Sequence, residues 1–242
     1  MIDTHAHLEM CDAEPAVVLA EAAQAGVERV LTIGRGQAVE LAERFDDVWA
    51  ITGWHPHEAQ EAVGRVEELR PLLAHPRVVA LGECGLDFYY DNAPSGVQRD
   101  VFAEQIALAN EVHKPLVVHT READDVTFPL LEEARVPVVL HCFSSVARLD
   151  EALERGYACS FAGNITFPKG AELREAAARV PDHLLLAETD SPYLAPVPMR
   201  GRPNRPANVM HTLNCLAEVR GAEPDVLERL IELNARRLFG LP

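Results

Sequence analysis

Short runs rich in β-branched residues alternate along the chain with Ala-, Leu- and Glu-rich stretches whose apolar residues recur at helical spacing. That is the pattern of repeated βα units around a parallel sheet. The runs predict eight strands, at residues 2–7, 29–33, 48–53, 78–83, 116–119, 138–141, 157–160 and 184–188. Between and after them the periodicity predicts helices over 16–25, 37–45, 61–73, 96–112, 123–134, 146–155, 171–179, 207–219 and 223–238. Lys114-Pro115, Val136-Pro137 and Val180-Pro181 each follow a helix and precede a strand, where proline stops the helix without breaking a ladder. Residues 191–206 differ: five prolines with Met199, Arg200, Arg202 and Arg205 read as a long ordered loop over the mouth of a barrel. With no internal repeat and no low-complexity linker, the expectation is one domain across 1–242, an α/β fold of the (β/α)8 TIM-barrel type.

Composition narrows the setting. A chain that is 48% hydrophobic and 25% charged can bury a core without disulfides. Its formal charge of −16 argues against a broad basic face for gripping duplex nucleic acid, while leaving room for a substrate held locally at metals. Five scattered cysteines without a CxxC pair speak against a disulfide framework or a zinc ribbon. With neither a basic, apolar leader nor a membrane-length apolar run, these features give the expectation of a cytoplasmic protein with no membrane partner; a monomer is the working expectation, and the sequence leaves the oligomeric state open.

The candidate chemistry lies at the ends of the predicted strands. His5 and His7 are two apart on the first strand, so a period of 2 points both into the barrel. Glu83, His119 and His141 end the fourth, fifth and sixth strands, and Asp190 follows the last. That carboxyl rim is where catalytic groups converge in parallel barrels, and structural histidines have no reason to favour it repeatedly. Four imidazoles and two carboxylates exceed the needs of one catalytic zinc but suit two divalent cations sharing a carboxylate. Glu83 is the expected bridge, with His5, His7 and Asp190 completing one site and His119 and His141 the other. The mixed nitrogen and oxygen set suits zinc, manganese, iron, nickel or cobalt, and magnesium less naturally.

Around these residues stand DTHAHLE (3–9), GWHPH (53–57), GECGLDFYY (82–90), PLVVHTRE (115–122), HCFSS (141–145), ETDSPYLAPVPMRG (188–201) and NARRLF (234–239), which in this order resemble the TatD family. The resemblance implies an amidohydrolase-type barrel, a two-metal centre at the six positions named, and metal-dependent deoxyribonuclease activity, often 3′ to 5′ exonucleolytic, on single strands or 3′ ends of DNA, as in DNA repair. Two departures stand out. The family's NEP is Asn204-Arg205-Pro206 here, which inverts a charge near the mouth, and HCFSG is HCFSS, with Ser145 in place of glycine.

Glu83 and Asp190 are the expected catalytic carboxylates, Asp190 as acceptor of a proton from water activated by the metals. Arg121 can aim its guanidinium at a phosphate oxygen; the alternative is a surface salt bridge with Glu122 or Asp124. His55 and His57 are candidates for substrate phosphate or for a capping role, Arg200 for another phosphate contact, and Tyr89 and Trp54 for base stacking or core packing. Cys142 is read as packing. The rival enzyme reading directs the same metals at a carbonyl, as in a deacylase for aminoacyl-tRNA or a lactonase. A non-catalytic barrel is the third reading, and a lost ligand would have signalled it.

Overall fold

The computed structural model describes residues 1–90 and 92–242. Eight strands, β1 (Ile2–Ala6), β2 (Arg29–Ile33), β3 (Val48–Thr52), β4 (Val78–Asp87), β5 (Leu116–Arg121), β6 (Val138–Leu140), β7 (Ala158–Phe161) and β8 (Leu185–Ala187), form one parallel sheet in sequence order. The sheet closes on itself just past its last residues. His5 O accepts the Asp190 N–H at 2.9 Å, and Ser191 O accepts the His7 N–H at 2.8 Å. The fold is a (β/α)8 TIM barrel. Its strands are near-continuous apolar runs because each is covered on both sides; all of β3, VWAIT, is buried.

The helices are α1 (Pro15–Gln24), α2 (Gly36–Arg44), α3 (Ala59–Ala62), α4 (Arg70–Leu73), α5 (Ser95–Val112), α6 (Asp124–Leu130), α7 (Leu149–Glu154), α8 (Ala171–Arg179), α9 (Val209–Arg220) and α10 (Pro224–Phe239). The single helix expected over 61–73 is instead α3, a 3₁₀ turn and α4. Gly64, at φ +71°, takes a left-handed conformation that ends the first piece, and Pro71 can sit only in a first turn, where no N–H is needed. The helix expected over 123–134 is α6, which carries Pro129 inside it, followed by a 3₁₀ turn over 131–133. The prolines before β5 and β6 lack a donor yet serve the ladder as acceptors: Pro115 O takes the Leu81 N–H and Pro137 O the Leu116 N–H, each at 2.9 Å.

The departure that matters most for the site is β4. It runs ten residues, four beyond the expected end, with a register shift between Leu81 and Cys84. Beyond the shift, Gly85 pairs with His119 and Asp87 with Arg121. Gly85 permits this approach: at φ +131° a Cβ there would stand 2.0 Å from His119 O. The β4–β5 ribbon therefore rises above the rim and carries Asp87, Tyr89, Tyr90 and Arg121 with it.

Candidate metal centre

Glu83 stands at the centre of the rim and is almost fully buried. Its Oε2 faces His5 Nε2 at 3.3 Å and His7 Nε2 at 3.7 Å. Its Oε1 faces His119 Nδ1 at 2.8 Å, and His141 Nε2 and His55 Nε2 at 3.5 Å each. Asp190 Oδ1 lies 3.6 Å from His7 Nε2 and 3.9 Å from His5 Nε2. Three overlapping triads of donor atoms result: His5, His7 and Asp190; His5, Glu83 and His141; and His55, Glu83 and His119. All six residues expected from the sequence to hold metal thus meet in one cluster, and His55 joins it.

The histidines differ in which nitrogen is available. His5 is fully buried, and among the described residues neither ring nitrogen has a hydrogen-bond partner. An orphaned buried polar group costs about 1–3 kcal/mol, and coordination to a cation would relieve it. Burial, and the His141 ring stacked on it at 3.6 Å, push the His5 pKa down and keep its lone pair free. His141 Nδ1 lies at ion-pair distance from Glu188 Oε1, 2.7 Å, without an in-line hydrogen bond, and its Nε2 faces Glu83 at 3.5 Å. His119 Nε2 bonds Asp87 Oδ2 at 3.1 Å, which leaves Nδ1 toward Glu83. His55 is the exception. Its Nδ1 accepts the His57 N–H at 3.1 Å, capping the 3₁₀ turn Pro56–Glu58, so the neutral ring carries its proton on Nε2 and faces the site as a donor.

Three carboxylates that the sequence reading passed over brace this cluster. Glu188 takes the Cys142 N–H at 2.7 Å besides facing His141. Asp87 holds both His119 and His57, the latter at 2.9 Å, and its other oxygen caps the Tyr89 and Tyr90 N–H groups at 3.0 Å. Asp3 spans the β1–β8 seam, taking the Thr189 N–H at 2.9 Å and the Thr189 hydroxyl at 2.5 Å. A signal was present. Asp3 precedes His5, and Glu188 precedes Asp190, by the same two-residue step that singled out His5 and His7.

Amide side chains fix the loops. On one face of α5, Gln98 and Gln105 clamp the backbones of Asp87 and Trp54: each takes an N–H at 2.8 Å and gives its amide to the same residue's carbonyl at 3.0 Å. Asn204 gives its amide to Thr189 O at 2.9 Å and Tyr193 O at 2.6 Å, holding the loop that carries Asp190. Its neighbour Arg205 is bound by Asp12 and Glu21, so the inverted charge is neutralised against the loop after β1 and against α1. Ser145 needs no glycine-like backbone (φ −77°) and ties its hydroxyl to Asp124 at 2.8 Å.

The remaining candidates divide. Trp54 is 2% exposed and packs in the core, which rules it out as a base platform. Tyr89 is half exposed, and the Arg121 guanidinium lies over its ring at 3.9 Å and over that of Tyr90 at 4.7 Å. Among the described residues Arg121 makes no salt bridge with Glu122 or Asp124. Arg200 lies over Phe167 at 4.1 Å, on the β7–α8 side of the mouth. Burial and the carboxylates Asp190, Glu188 and Glu83 push the Cys142 thiol far up, away from any nucleophilic role.

Two measurements follow from this geometry. Replacing Glu188 by glutamine keeps the shape but removes the charge behind His141, and the expected result is a metal affinity about 10- to 100-fold weaker by competitive chelation, with the fold intact by circular dichroism. Unchanged affinity would show that Glu188 does not act through His141. The second concerns protons. Burial disfavours charge on His141 and His119, but Glu188 and Glu83 outweigh it at the first, raising its pKa to about 10, and Asp87 and Glu83 at the second, raising it to about 8. Without metal both rings therefore hold protons at neutral pH. Their charged forms stabilise the metal-free fold fully below the ordinary histidine value of 6.5, and that stabilisation is lost as pH rises through about 8 and then about 10. Metal must displace these protons, so calorimetry at pH 7 in buffers of different ionisation enthalpy is expected to show proton release, and affinity is expected to fall as pH drops. Uptake without proton release would contradict it.

A parallel eight-stranded barrel whose carboxyl rim gathers imidazoles and carboxylates around one buried glutamate is the frame of a metal-dependent hydrolase. The family model described as TatD related DNase matches residues 2–240, and the chain belongs to the TatD family. It is 36% identical to the uncharacterized metal-dependent hydrolase YabD of Bacillus subtilis, over 99% of this chain and 98% of that one. It is 37% identical to the 3′-5′ ssDNA/RNA exonuclease TatD of Klebsiella pneumoniae, over 93% of this chain and 91% of that one. The crystal structure of YjjV, a TatD homologue from Escherichia coli, superposes with a TM-score of 0.94 at 29% identity, covering 100% of this chain and 98% of that one. Among the described residues no helix is long and apolar enough to cross a membrane.

Proposed function

We propose that this enzyme is a deoxyribonuclease that shortens single-stranded DNA from its 3′ end. His5, His7 and Asp190 would hold one divalent cation and His119 and His141 a second, with Glu83 facing both groups. The observation that carries this reading is the division of Glu83: Oε2 toward His5 and His7, Oε1 toward His119 and His141. Magnesium, manganese or zinc bound there would lower the pKa of water and offset the charge developing on a phosphate. Asp190 is the proton acceptor, His55 offers its Nε2–H to a non-bridging oxygen, and Arg121 and Arg200 supply positive charge at the mouth. Tyr89 offers a stacking face. The name of the Klebsiella relative supports the substrate and polarity. We place the enzyme in the cytoplasm as a single-domain monomer acting in DNA repair.

The test is nuclease activity of metal-stripped protein on labelled single-stranded DNA, with magnesium, manganese or zinc added back, beside a His119→Ala control. Stepwise shortening that needs both metal and His119 is the expected result. Two tightly bound metals without cleavage would redirect the site to a carbonyl substrate such as an aminoacyl ester.

A further inference from the structure

We propose that the mouth carries two aromatic walls that stack the nucleobases on either side of the scissile phosphate, one made by Tyr193 with Met10 and the other by Tyr90 and Tyr89 with Arg121. The inference rests on the single-strand nuclease reading above and deepens it by naming the residues that read the strand.

Three of the four tyrosines are half exposed: Tyr89 at 53%, Tyr90 at 46% and Tyr193 at 49%. The fourth, Tyr157, is buried in the core. Two of these rings border the histidine cluster, and Tyr89 stands edge-on to one of them, Tyr90, at 4.9 Å. Tyr193 stands edge-on to His7, ring centroids 6.0 Å apart, and Tyr90 edge-on to His57 at 5.5 Å. Met10, itself 50% exposed, meets the Tyr193 hydroxyl at 4.0 Å through its sulfur, so ring and thioether form one apolar face.

The strand order sets these walls across from each other. Met10 and Tyr193 follow β1 and β8, and Tyr89, Tyr90 and Arg121 belong to the ribbon of β4 and β5, half-way round an eight-stranded ring. The histidine cluster lies between, with His7 beside one wall and His57, next to His119, beside the other. Both walls are held from behind. Tyr193 is fixed by its N–H to Asp190 O at 2.8 Å and by the Asn204 amide on its carbonyl, and Tyr89 and Tyr90 by Asp87 and through it Gln98. Aromatic rings with only two side-chain torsions, on backbones held in this way, lose little freedom when a base settles on them, and every base offers a π-face, so such walls grip a single strand without reading its sequence. Arg121 covers one face of the Tyr89 and Tyr90 rings, at 3.9 and 4.7 Å, so a base stacks on the opposite side of this wall with the cation behind it.

The experiment uses the metal-loaded enzyme and an oligothymidine eight nucleotides long, intact or with one abasic residue at the 3′-terminal or the penultimate position, and compares kcat/KM for the first cleavage. In the wild type each abasic residue is expected to cost about tenfold. Tyr193→Ala is expected to collapse the intact-to-abasic ratio toward one at one position only, and the double variant Tyr89→Ala, Tyr90→Ala at the other. Tyr193→Phe is expected to keep the wild-type ratio, because stacking needs the ring and not the hydroxyl. A Tyr193→Ala enzyme that slows intact and abasic substrates by the same factor would assign Tyr193 a purely structural role and overturn the proposal. A wild type that cleaves intact and abasic strands equally well would remove the walls while leaving the nuclease reading standing. A wild type that cleaves no DNA would end both.

Discussion

Replacing Glu83 by glutamine is expected to abolish hydrolysis, with a loss beyond about a thousandfold, or ~4 kcal/mol of transition-state stabilisation, and to leave the protein unable to hold two cations at once. The reason is geometric. Glu83 is the one side chain among the described residues whose two carboxylate oxygens face different groups of histidines. A glutamine retains the volume and one acceptor oxygen, but its NH2 presents hydrogens where the second cation needs a lone pair. Its neutrality also removes the charge that keeps two cations from repelling each other. The imidazoles respond as well: Glu83 helps raise the pKa of both His119 and His141, so both values are expected to fall in the variant. Elemental analysis of the purified variant, paired with activity at saturating metal, decides the matter. A variant that keeps two equivalents of metal and substantial turnover would assign the bridge to another group.

The parts of this centre that were legible in the sequence are those governed by local periodicity. A two-residue repeat is enough to place His5 and His7 on one side of β1, and helices between strands are enough to imply a parallel barrel with its chemistry at the carboxyl rim. Strand β2 and helix α8 fall where the hydrophobic pattern puts them. What was hidden depends on contacts between elements distant in sequence. The extension of β4 to Asp87 is a property of its pairing with β5, made possible by Gly85 pressing on His119, and no run of β-branched residues announces it. Asp87 therefore looked like a loop residue, and Tyr89 and Arg121 like unrelated candidates, when the register Asp87 to Arg121 makes them neighbours.

The same holds for the braces. Gln98 and Gln105 are seven residues apart on α5, a spacing that gives them one face, but only the fold shows that this face meets the backbones of Asp87 and Trp54. Trp54, beside two histidines, reads in the sequence as core packing more readily than as a platform. Its burial, with the Arg35 guanidinium 3.9 Å over its ring, decides for the core. Arg205 was read as altering the mouth, since its charge is the one the sequence shows. Its partners, Asp12 and Glu21, lie nearly two hundred residues away and cancel it.

Asp190→Asn is the change expected to separate chemistry from architecture most cleanly. Asp190 has φ +57°, a left-handed backbone that costs most residues about 1–2 kcal/mol and that asparagine, like aspartate, tolerates. Its N–H closes the barrel seam on His5 O, and its carbonyl takes the Tyr193 N–H; asparagine keeps both bonds. The fold is therefore expected to survive, with a melting temperature within a few degrees of the wild type. An alanine there would add backbone strain to the loss of the carboxylate. What asparagine lacks is the negative charge that burial would suppress and that His7, His141 and His5 hold in place by pulling the pKa down. Without that charge the cation between His5, His7 and residue 190 is held more weakly, and no carboxylate at that position can take a proton from the attacking water. Turnover is expected to fall by at least about a thousandfold, with substrate KM much less affected, because the contacts at His55, Arg121 and the mouth do not involve residue 190. A variant that folds, binds DNA and still turns over near the wild-type rate would remove Asp190 from the chemistry. It would make Glu83, whose two oxygens face the metal-directed nitrogens of His5 and His119, the next candidate for the proton.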